Sequence, residues 1–304
     1  MKKKVAISIG DLNGIGIQLA LENHTTLCSY IEPFYCIDKT MLTQASEKLN
    51  LSIPSNFQTI ENIAPSFNIE SGVVSADSGR YAFSSFTTAV AMAREKQVDA
   101  ICTLPIHKKA WELADISYKG HTDALRDFFD AEAIMMLGCK EMYVALFTEH
   151  IPLKMVASSI NEKDLTRFLL DFYRTAKPSN TVAVLGLNPH AGDDGVLGNE
   201  ERIIQKSIDN AHEVLEKKVF SNPLVPDVAF TPNVRKHYTH FIAMYHDQGL
   251  APLKALYFDE GINVSLNLPI LRTSVDHGTA FDIAYKGVAL NSLSYINAIK
   301  YIVQ

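Results

Sequence analysis

Short apolar segments alternate with amphipathic segments of helical period along most of this chain. The apolar segments predict strands at residues 5–9, 34–37, 99–103, 144–148, 154–157, 181–186 and 241–245. The amphipathic segments predict helices at residues 16–26, 41–49, 84–96, 124–129, 161–175 and 200–217. Strands that alternate with helices form largely parallel sheets covered by helices, so the pattern predicts an α/β fold.

Composition narrows the class of protein further. The chain has 304 residues, 47% of them hydrophobic, which is enough for one large domain or two ordinary ones. Its net charge of -6 argues against a nucleic-acid partner, because neutralising phosphates requires clustered Lys and Arg. No apolar run approaches the ~18 residues that span a bilayer, and the first apolar run is too short for a signal peptide. Four scattered cysteines predict free thiols, so we expect a cytoplasmic protein without a membrane partner.

The segment 244–254 follows a predicted strand and carries reactive side chains. His246 and Asp247 come directly after the strand, and Gly249 and Pro252 are predicted to break the regular pattern. Parallel sheets bind their ligands outside the carboxyl ends of the strands, so both side chains are candidates for chemistry. Asp247 has three open interpretations, namely a residue that orients a metal ligand, a further ligand, or a helix N-cap.

Two more histidines follow predicted strands. His150 comes just past the strand at 144–148, and His190 lies in a glycine-rich loop between a strand and the helix at 200–217. Together with His246 they are candidates to bind one divalent metal with coordination positions left open for substrate. Their separations are too wide for a local zinc motif, and imidazole ligands suit zinc, cobalt or iron.

Two glycine-containing turns are candidate ligand sites with a structural alternative. Glycines in the segment 10–16 permit backbone N–H groups to approach an anion at a helix N-terminus, but they also suit a tight turn. The segment 120–123 presents His121 before a predicted helix, and Thr122 or Asp123 there is also a good helix N-cap.

Basic residues near the end of the chain are candidates to bind an anion. Arg272 offers a planar set of donors that matches carboxylate or phosphate. Together with Lys254 and Asn263, it predicts a site for an anionic group, and the alternative is a solvated surface pair.

Five sequence blocks carry a resemblance to a known family: residues 103–108, 120–123, 187–195 with Gly198, Glu200 and Glu201, 244–250, and 272–280. In the residues of these blocks and in their order along the chain, the sequence closely resembles the 4-hydroxythreonine-4-phosphate dehydrogenase family of vitamin B6 biosynthesis. The resemblance extends from Ile7 to about Ala284, which is nearly the whole chain.

This resemblance implies an isocitrate/isopropylmalate dehydrogenase-like fold, with two α/β domains flanking a cleft. We expect the first domain at residues 1–125 plus 274–304, and the second, with the metal and dimer interface, at 126–273. It also implies a homodimer with a shared active site. It further implies that NAD or NADP binds without the glycine fingerprint of dinucleotide-binding folds, and this chain indeed lacks that fingerprint. The expected metal is zinc, cobalt or magnesium.

The resemblance also implies a role for individual residues. The family's metal ligands align with His150, His190 and His246, and its substrate contacts with His121, Thr122, Lys254, Asn263 and Arg272. Asp247 and Lys254 are the candidates for proton transfer. The implied reaction oxidises 4-phosphooxy-L-threonine at C3, with decarboxylation to 3-amino-2-oxopropyl phosphate.

Some positions depart from the family pattern, and other functions remain open. The block at 10–18 lacks two prolines and a glutamate that are usual there, and Asn267 replaces a glycine. One alternative is a paralogous dehydrogenase of another 4-phosphorylated hydroxy acid, such as phosphorylated threonate or erythronate. Further alternatives are a phosphate acyltransferase of similar fold and a catalytically silent binding protein, and the three strand-end histidines argue against both.

Overall fold

The computed structural model describes residues 1–61 and 64–304. The chain divides into two compact units. The first unit comprises residues 1–131, 262–264 and 268–304, and the second comprises residues 132–261 and 265–267. The sequence placed the domain limits after residues 125 and 273, whereas in the structure residues 126–131, 262–264 and 268–273 belong to the first unit.

The first unit contains a sheet of parallel strands with helices packed on it. Its strands are β1 (Lys3–Ser8), β2 (Ile31–Cys36), β3 (Gln58–Thr59), β4 (Ala100–Thr103) and β10 (Leu271–Val275). Its helices are α1 (Gly16–Tyr30), α2 (Lys39–Leu49), α3 (Ala76–Arg94), α4 (Lys108–Leu113), α5 (His121–Phe129) and α12 (Leu293–Val303). Strand β9 (Ile262–Leu266) contributes its first three residues to this unit.

Parallel pairing in the order β3-β2-β1-β4-β10 explains the apolar character of these strands. A parallel sheet is covered on both faces, so its strands read as continuous apolar runs. All four residues of β4 are buried, for example. On one face, Ala6 and Ile101 pack in a core with Phe86 and Trp111, which come from α3 and α4.

The second unit is built around four strands. They are β5 (Ile134–Cys139), β6 (Met142–Leu146), β7 (Ala183–Val184) and β8 (His240–Ala243). Its helices are α6 (Val156–Ser159), α7 (Glu162–Ala176), α8 (Glu200–Leu215), α9 (Pro226–Ala229), α10 (Pro232–Arg235) and α11 (His246–Tyr257). The order is β5-β6-β8-β7, with β5 antiparallel to β6 and the other neighbours parallel. Its core contains Val144, Phe241 and Leu250.

Side-chain caps explain where three of the longer helices begin. Asp38 accepts a hydrogen bond from the backbone N–H of the third residue of α2, Ser75 does the same for α3, and Asn161 for α7. Such caps satisfy a backbone N–H that has no partner within the helix. The cap at Ser75 starts α3 eight residues before its predicted beginning at residue 84.

Two predicted features of the second unit are wrong. Residues 154–157, predicted as a strand, lie in a 3-10 helix (Leu153–Met155) and in α6. Gly249 and Pro252, predicted to break the pattern, lie inside α11. A Cβ at Gly249 would clash with the side chain of Val144 and lie 2.9 Å from the Cβ of Ala243, so this glycine permits α11 to pack closely on β6 and β8.

The remaining structural expectations concern cysteines and membrane spans. All four cysteines are free thiols, as predicted. Within residues 1–61 and 64–304, none of the helices combines the length and the apolar character that a membrane crossing requires. The α/β class predicted from the alternation of strands and helices is confirmed.

Candidate functional site

In the first unit, the last residue of β4, the second residue of β10 and the first residue of α5 form a buried polar cluster. Arg272 is 3% exposed, Thr103 is fully buried, and His121 is 9% exposed. The Nε and Nη2 atoms of Arg272 donate hydrogen bonds to Oγ1 of Thr103 at 3.1 and 2.7 Å. Nη2 also lies 3.3 Å from Nδ1 of His121. The structure thus brings together two predicted substrate contacts, and it excludes a solvated surface position for Arg272.

The electrostatics of this cluster fix the charge and tautomer of His121. Burial lowers the pKa of Arg272 to about 10, so the guanidinium stays positive at neutral pH. Burial, and then the adjacent Arg272 cation, hold the pKa of His121 well below its usual value, so the ring is neutral. Because Arg only donates, Nδ1 of His121 accepts and its proton lies on Nε2. That Nε2 is buried and has no hydrogen-bond partner in the described part of the chain.

Aromatic side chains enclose the His121 ring. Phe86 lies edge-on at 4.7 Å between ring centroids, and Trp111 lies edge-on at 5.4 Å. Trp111 is fully buried and is the chain's only tryptophan. Packing of this kind holds the imidazole in one orientation, and it makes the fluorescence of Trp111 a natural reporter for the cluster.

Two other predicted substrate contacts belong to the first unit. Thr122 is buried in the first turn of α5, which begins at His121 after the N-cap residue Gly120, so neither Thr122 nor Asp123 caps this helix. Asp123 instead accepts a hydrogen bond from the backbone N–H of Lys119 at 2.9 Å. Asn263, on β9, has a buried Oδ1 that lacks a hydrogen-bond partner within residues 1–61 and 64–304. Such an atom is suited to a ligand because buried polar atoms are rarely left unpaired.

In the turn at residues 10–16, backbone N–H groups that an anion would need already bind carbonyl groups of the protein. The N–H of Ile15, at the start of α1, donates to the carbonyl of Thr279 at 3.1 Å. The N–H of Gly14 donates to the carbonyl of Asp11 at 3.0 Å, and a Cβ at Gly14 would lie 2.7 Å from the Thr279 oxygen. These contacts favour the tight-turn interpretation over an anion site. Burial also raises the pKa of the Asp11 carboxyl to about 6.

In the second unit, two of the three predicted metal ligands lie side by side. The ring centroids of His150 and His246 are 5.6 Å apart. Asp247 lies 2.8 Å from Nδ1 of His246, where a carboxylate orients the ring. Tyr245 is the N-cap of α11 and Asp247 lies in the first turn, so the N-cap interpretation of Asp247 is wrong. Lys254, on the same helix, is half-buried, with Nζ 5.8 Å from the ring centroid of Phe258.

His190 lies on a loop with an unusual backbone. It is exposed, and it begins a run of six residues with positive φ, from 190 to 195. Glu201, in the first turn of α8, holds the start of this loop: Oε1 accepts the N–H groups of Leu187 at 2.8 Å and of Asn188 at 2.7 Å. Oε2 accepts from Nδ2 of Asn188 at 2.9 Å. From the sequence, Glu201 was noted only as a member of the family block at residues 187–201, and this role in the loop was not predicted.

The donor set fits a metal in its chemistry. Imidazole nitrogens suit zinc and cobalt, and a carboxylate on the other ring nitrogen is the usual partner of a ligating histidine. Across residues 1–61 and 64–304, however, no group of three His, Cys, Asp or Glu side chains is arranged to hold a metal ion. His150 and His246 therefore form a pair in this structure, and His190 does not join it.

The relatives of the chain first define its class. A 4-hydroxythreonine-4-phosphate dehydrogenase of Sulfurimonas denitrificans is 60% identical over 299 residues, which cover 98% of this chain and 96% of that protein. A 4-hydroxythreonine-4-phosphate dehydrogenase of Campylobacter fetus is 50% identical, with 99% and 97% covered. The crystal structure of 4-hydroxythreonine-4-phosphate dehydrogenase from Klebsiella pneumoniae matches with a TM-score of 0.83 and 31% identity, over 100% of this chain and 98% of that one. These similarities place the chain among the oxidoreductases.

The family is defined just as clearly. The family model described as "Pyridoxal phosphate biosynthetic protein PdxA" matches residues 29–302. The chain therefore belongs to the PdxA family, and the resemblance seen in the five sequence blocks is confirmed.

Proposed function

We propose that this protein oxidises 4-phosphooxy-L-threonine at C3 with NAD or NADP, and that the resulting β-keto acid loses carbon dioxide to give 3-amino-2-oxopropyl phosphate. The observation that carries the proposal is the buried Arg272, whose guanidinium is fixed by Thr103 and adjoins a neutral His121. A guanidinium held in one orientation presents planar donors that match carboxylate or phosphate, so its position suits an anionic substrate. The named activity of the close relatives supports this choice of substrate.

Substrate binding would use the residues that the family resemblance assigns. Arg272 would bind an oxyanion through its planar donors, and His121 would donate from Nε2. Thr122 and Asn263 offer a hydroxyl and an amide for further hydrogen bonds. Lys254 adds a positive charge and is also the residue that we propose to hold or move a proton. Fixed contacts of this kind orient the reacting carbon, which accounts for much of the rate gained by enzymes.

We assign the divalent metal to His150, His190 and His246, with Asp247 as the residue that orients His246. When bound, the metal supplies Lewis acidity toward the C3 oxygen, and NAD or NADP supplies the hydride acceptor. The pairing of His150 with His246 supports the assignment of two of these ligands. Imidazole ligands favour zinc or cobalt over magnesium.

A homodimer is proposed for the assembly. The segments that carry His150 and His190 also carry exposed apolar side chains, since Leu153 is 70%, Val196 78% and Leu197 47% exposed. Exposed apolar side chains are frequent in protein interfaces, so these two segments are candidates for the dimer contact. Light scattering of the purified protein tests this assembly, and a fully active monomer contradicts it. The cytoplasm is the proposed compartment, because the reaction draws on the cellular NAD or NADP pool.

The test of the proposed reaction is NADH or NADPH formation with three substrates: 4-phosphooxy-L-threonine, 4-phosphorylated threonate and 4-phosphorylated erythronate. We expect the highest kcat/KM with 4-phosphooxy-L-threonine, and loss of turnover when the metal is chelated. A higher kcat/KM with threonate or erythronate phosphate would instead support a paralogous dehydrogenase. Metal analysis of His246→Ala against the parent protein checks the metal assignment independently of turnover.

A further inference from the structure

Thr103 has the geometry of an anchor for Arg272. Thr103 is the last residue of β4, and Arg272 is the second residue of β10. In the parallel register, Arg272 lies opposite Ile101, so its side chain projects from the same face as Thr103, two residues further on. Two guanidinium nitrogens therefore converge on one hydroxyl oxygen, at 3.1 and 2.7 Å.

This arrangement limits the freedom of both Arg272 and His121. An arginine side chain has several rotatable bonds, and a hydroxyl that accepts from Nε and Nη2 at once fixes the plane of its guanidinium. Nη2 then faces Nδ1 of His121, which selects the Nε2–H tautomer of the histidine. The unpartnered Nε2 is the donor that this tautomer leaves for a ligand.

We propose that Thr103 is a positioning residue for the oxyanion of the substrate: its hydroxyl fixes the guanidinium of Arg272, and through Arg272 it fixes the tautomer of His121. The inference rests on the proposed role of Arg272 and His121 as substrate contacts. The oxyanion is a phosphate or a carboxylate, since a planar fork of donors binds either.

The test uses four forms of the full-length protein: the parent, Thr103→Val, Thr103→Ser and the control Thr273→Val. Valine keeps the shape of Thr103 without the acceptor, and serine restores the hydroxyl. Thr273 is also a buried threonine, but it lies opposite Cys102 in the sheet register, on the face away from Arg272. Calorimetric titration with 4-phosphooxy-L-threonine, without cofactor, measures binding, and steady-state assays give KM and kcat.

We expect Thr103→Val to weaken binding and raise KM by about tenfold to a hundredfold, the value of a hydrogen bond to a charged group, with a smaller change in kcat. Thr103→Ser and Thr273→Val should bind like the parent. Inorganic phosphate and acetate, titrated separately, distinguish a phosphate site from a carboxylate site. The inference is overturned if Thr103→Val binds 4-phosphooxy-L-threonine as tightly as the parent does. It is also overturned if the parent binds neither inorganic phosphate nor acetate.

A second measurement keeps the inference testable if Thr103→Val does not fold. Nitrogen chemical shifts of the histidine rings report the tautomer of His121, which we expect to be Nε2–H in the parent and in Thr103→Ser. A proton on Nδ1 in the folded parent contradicts the inference. If 4-phosphooxy-L-threonine binds as described but no NADH or NADPH forms, the proposed reaction fails while the role of Thr103 stands.

Discussion

Removal of the Glu201 carboxylate should loosen the loop that carries His190. The loop needs such support because four non-glycine residues, at 190, 191, 193 and 194, adopt positive φ. A left-handed conformation costs about 1–2 kcal/mol per residue, and less for the two aspartates. Glu201 offsets part of this cost through three hydrogen bonds, to the N–H groups of Leu187 and Asn188 and to the Asn188 side chain.

The size of the effect follows from these bonds. A hydrogen bond to a charged group contributes about 1.5–3 kcal/mol, and less where water competes. Glu201 is partly exposed, so we expect Glu201→Ala to reduce the free energy of loop opening by about 3 kcal/mol in total. Glu201→Gln keeps one oxygen for the two backbone groups, but its amide faces the amide of Asn188. It should therefore lose less, about 1–2 kcal/mol.

Amide hydrogen exchange measures this opening directly. We expect the amides of Leu187 and Asn188 to exchange about tenfold faster in Glu201→Gln and about a hundredfold faster in Glu201→Ala, with α7 unchanged. Glu213→Gln, an exposed substitution on the same helix, is the matched control. Parent-like exchange in Glu201→Ala, or faster exchange throughout the second unit, would refute the reasoning.

Three further predictions concern charged side chains. The raised pKa of Asp11 means that the native state binds its proton more tightly than the unfolded chain, so the contribution of Asp11 to stability should fall by about 3 kcal/mol as pH rises from about 4 to about 6. Asp11→Asn should remove that slope in denaturant unfolding followed across this range. Asp247→Asn should weaken metal binding by about tenfold to a hundredfold in a calorimetric titration, because the amide orients His246 less well; parent-like affinity contradicts this. Arg272→Met should abolish binding of 4-phosphooxy-L-threonine while thermal unfolding shows equal or greater stability; a large loss of stability with binding retained contradicts it.

Regular elements with strong local signals could be predicted from the sequence. Helix α8 begins at Glu200 as predicted, because its apolar residues recur with helical period and a loop precedes it. Strands β3, β5, β9 and β10 were not predicted. The sequence Ile-Met-Met-Leu-Gly-Cys of β5 has no period that distinguishes a buried strand from a helix. In β10, Arg272 suggests a surface segment, and only its tertiary partners account for its burial.

The same limit applies to the histidines. Strands β6 and β8 are parallel neighbours, with Leu146 opposite Ala243, so residues that follow them emerge at one edge of the sheet. This rule is why the proximity of His150 and His246 could be expected from the sequence. His190 follows β7 by six residues, and its backbone direction depends on the left-handed run and on Glu201. Neither of those is visible in a strand-and-helix pattern.

The burial of Arg272 argues that this position is kept for binding rather than for stability. Removing a guanidinium from water costs several kcal/mol, and the fall of its pKa to about 10 reflects that cost. The hydroxyl of Thr103 accepts from this guanidinium, and the neutral ring of His121 lies beside it. An apolar side chain of similar volume would fill the same space among buried strands at lower cost. Because we propose that Arg272 binds the oxyanion of the substrate, we expect its replacement to remove ligand binding while folding stability is kept or increased.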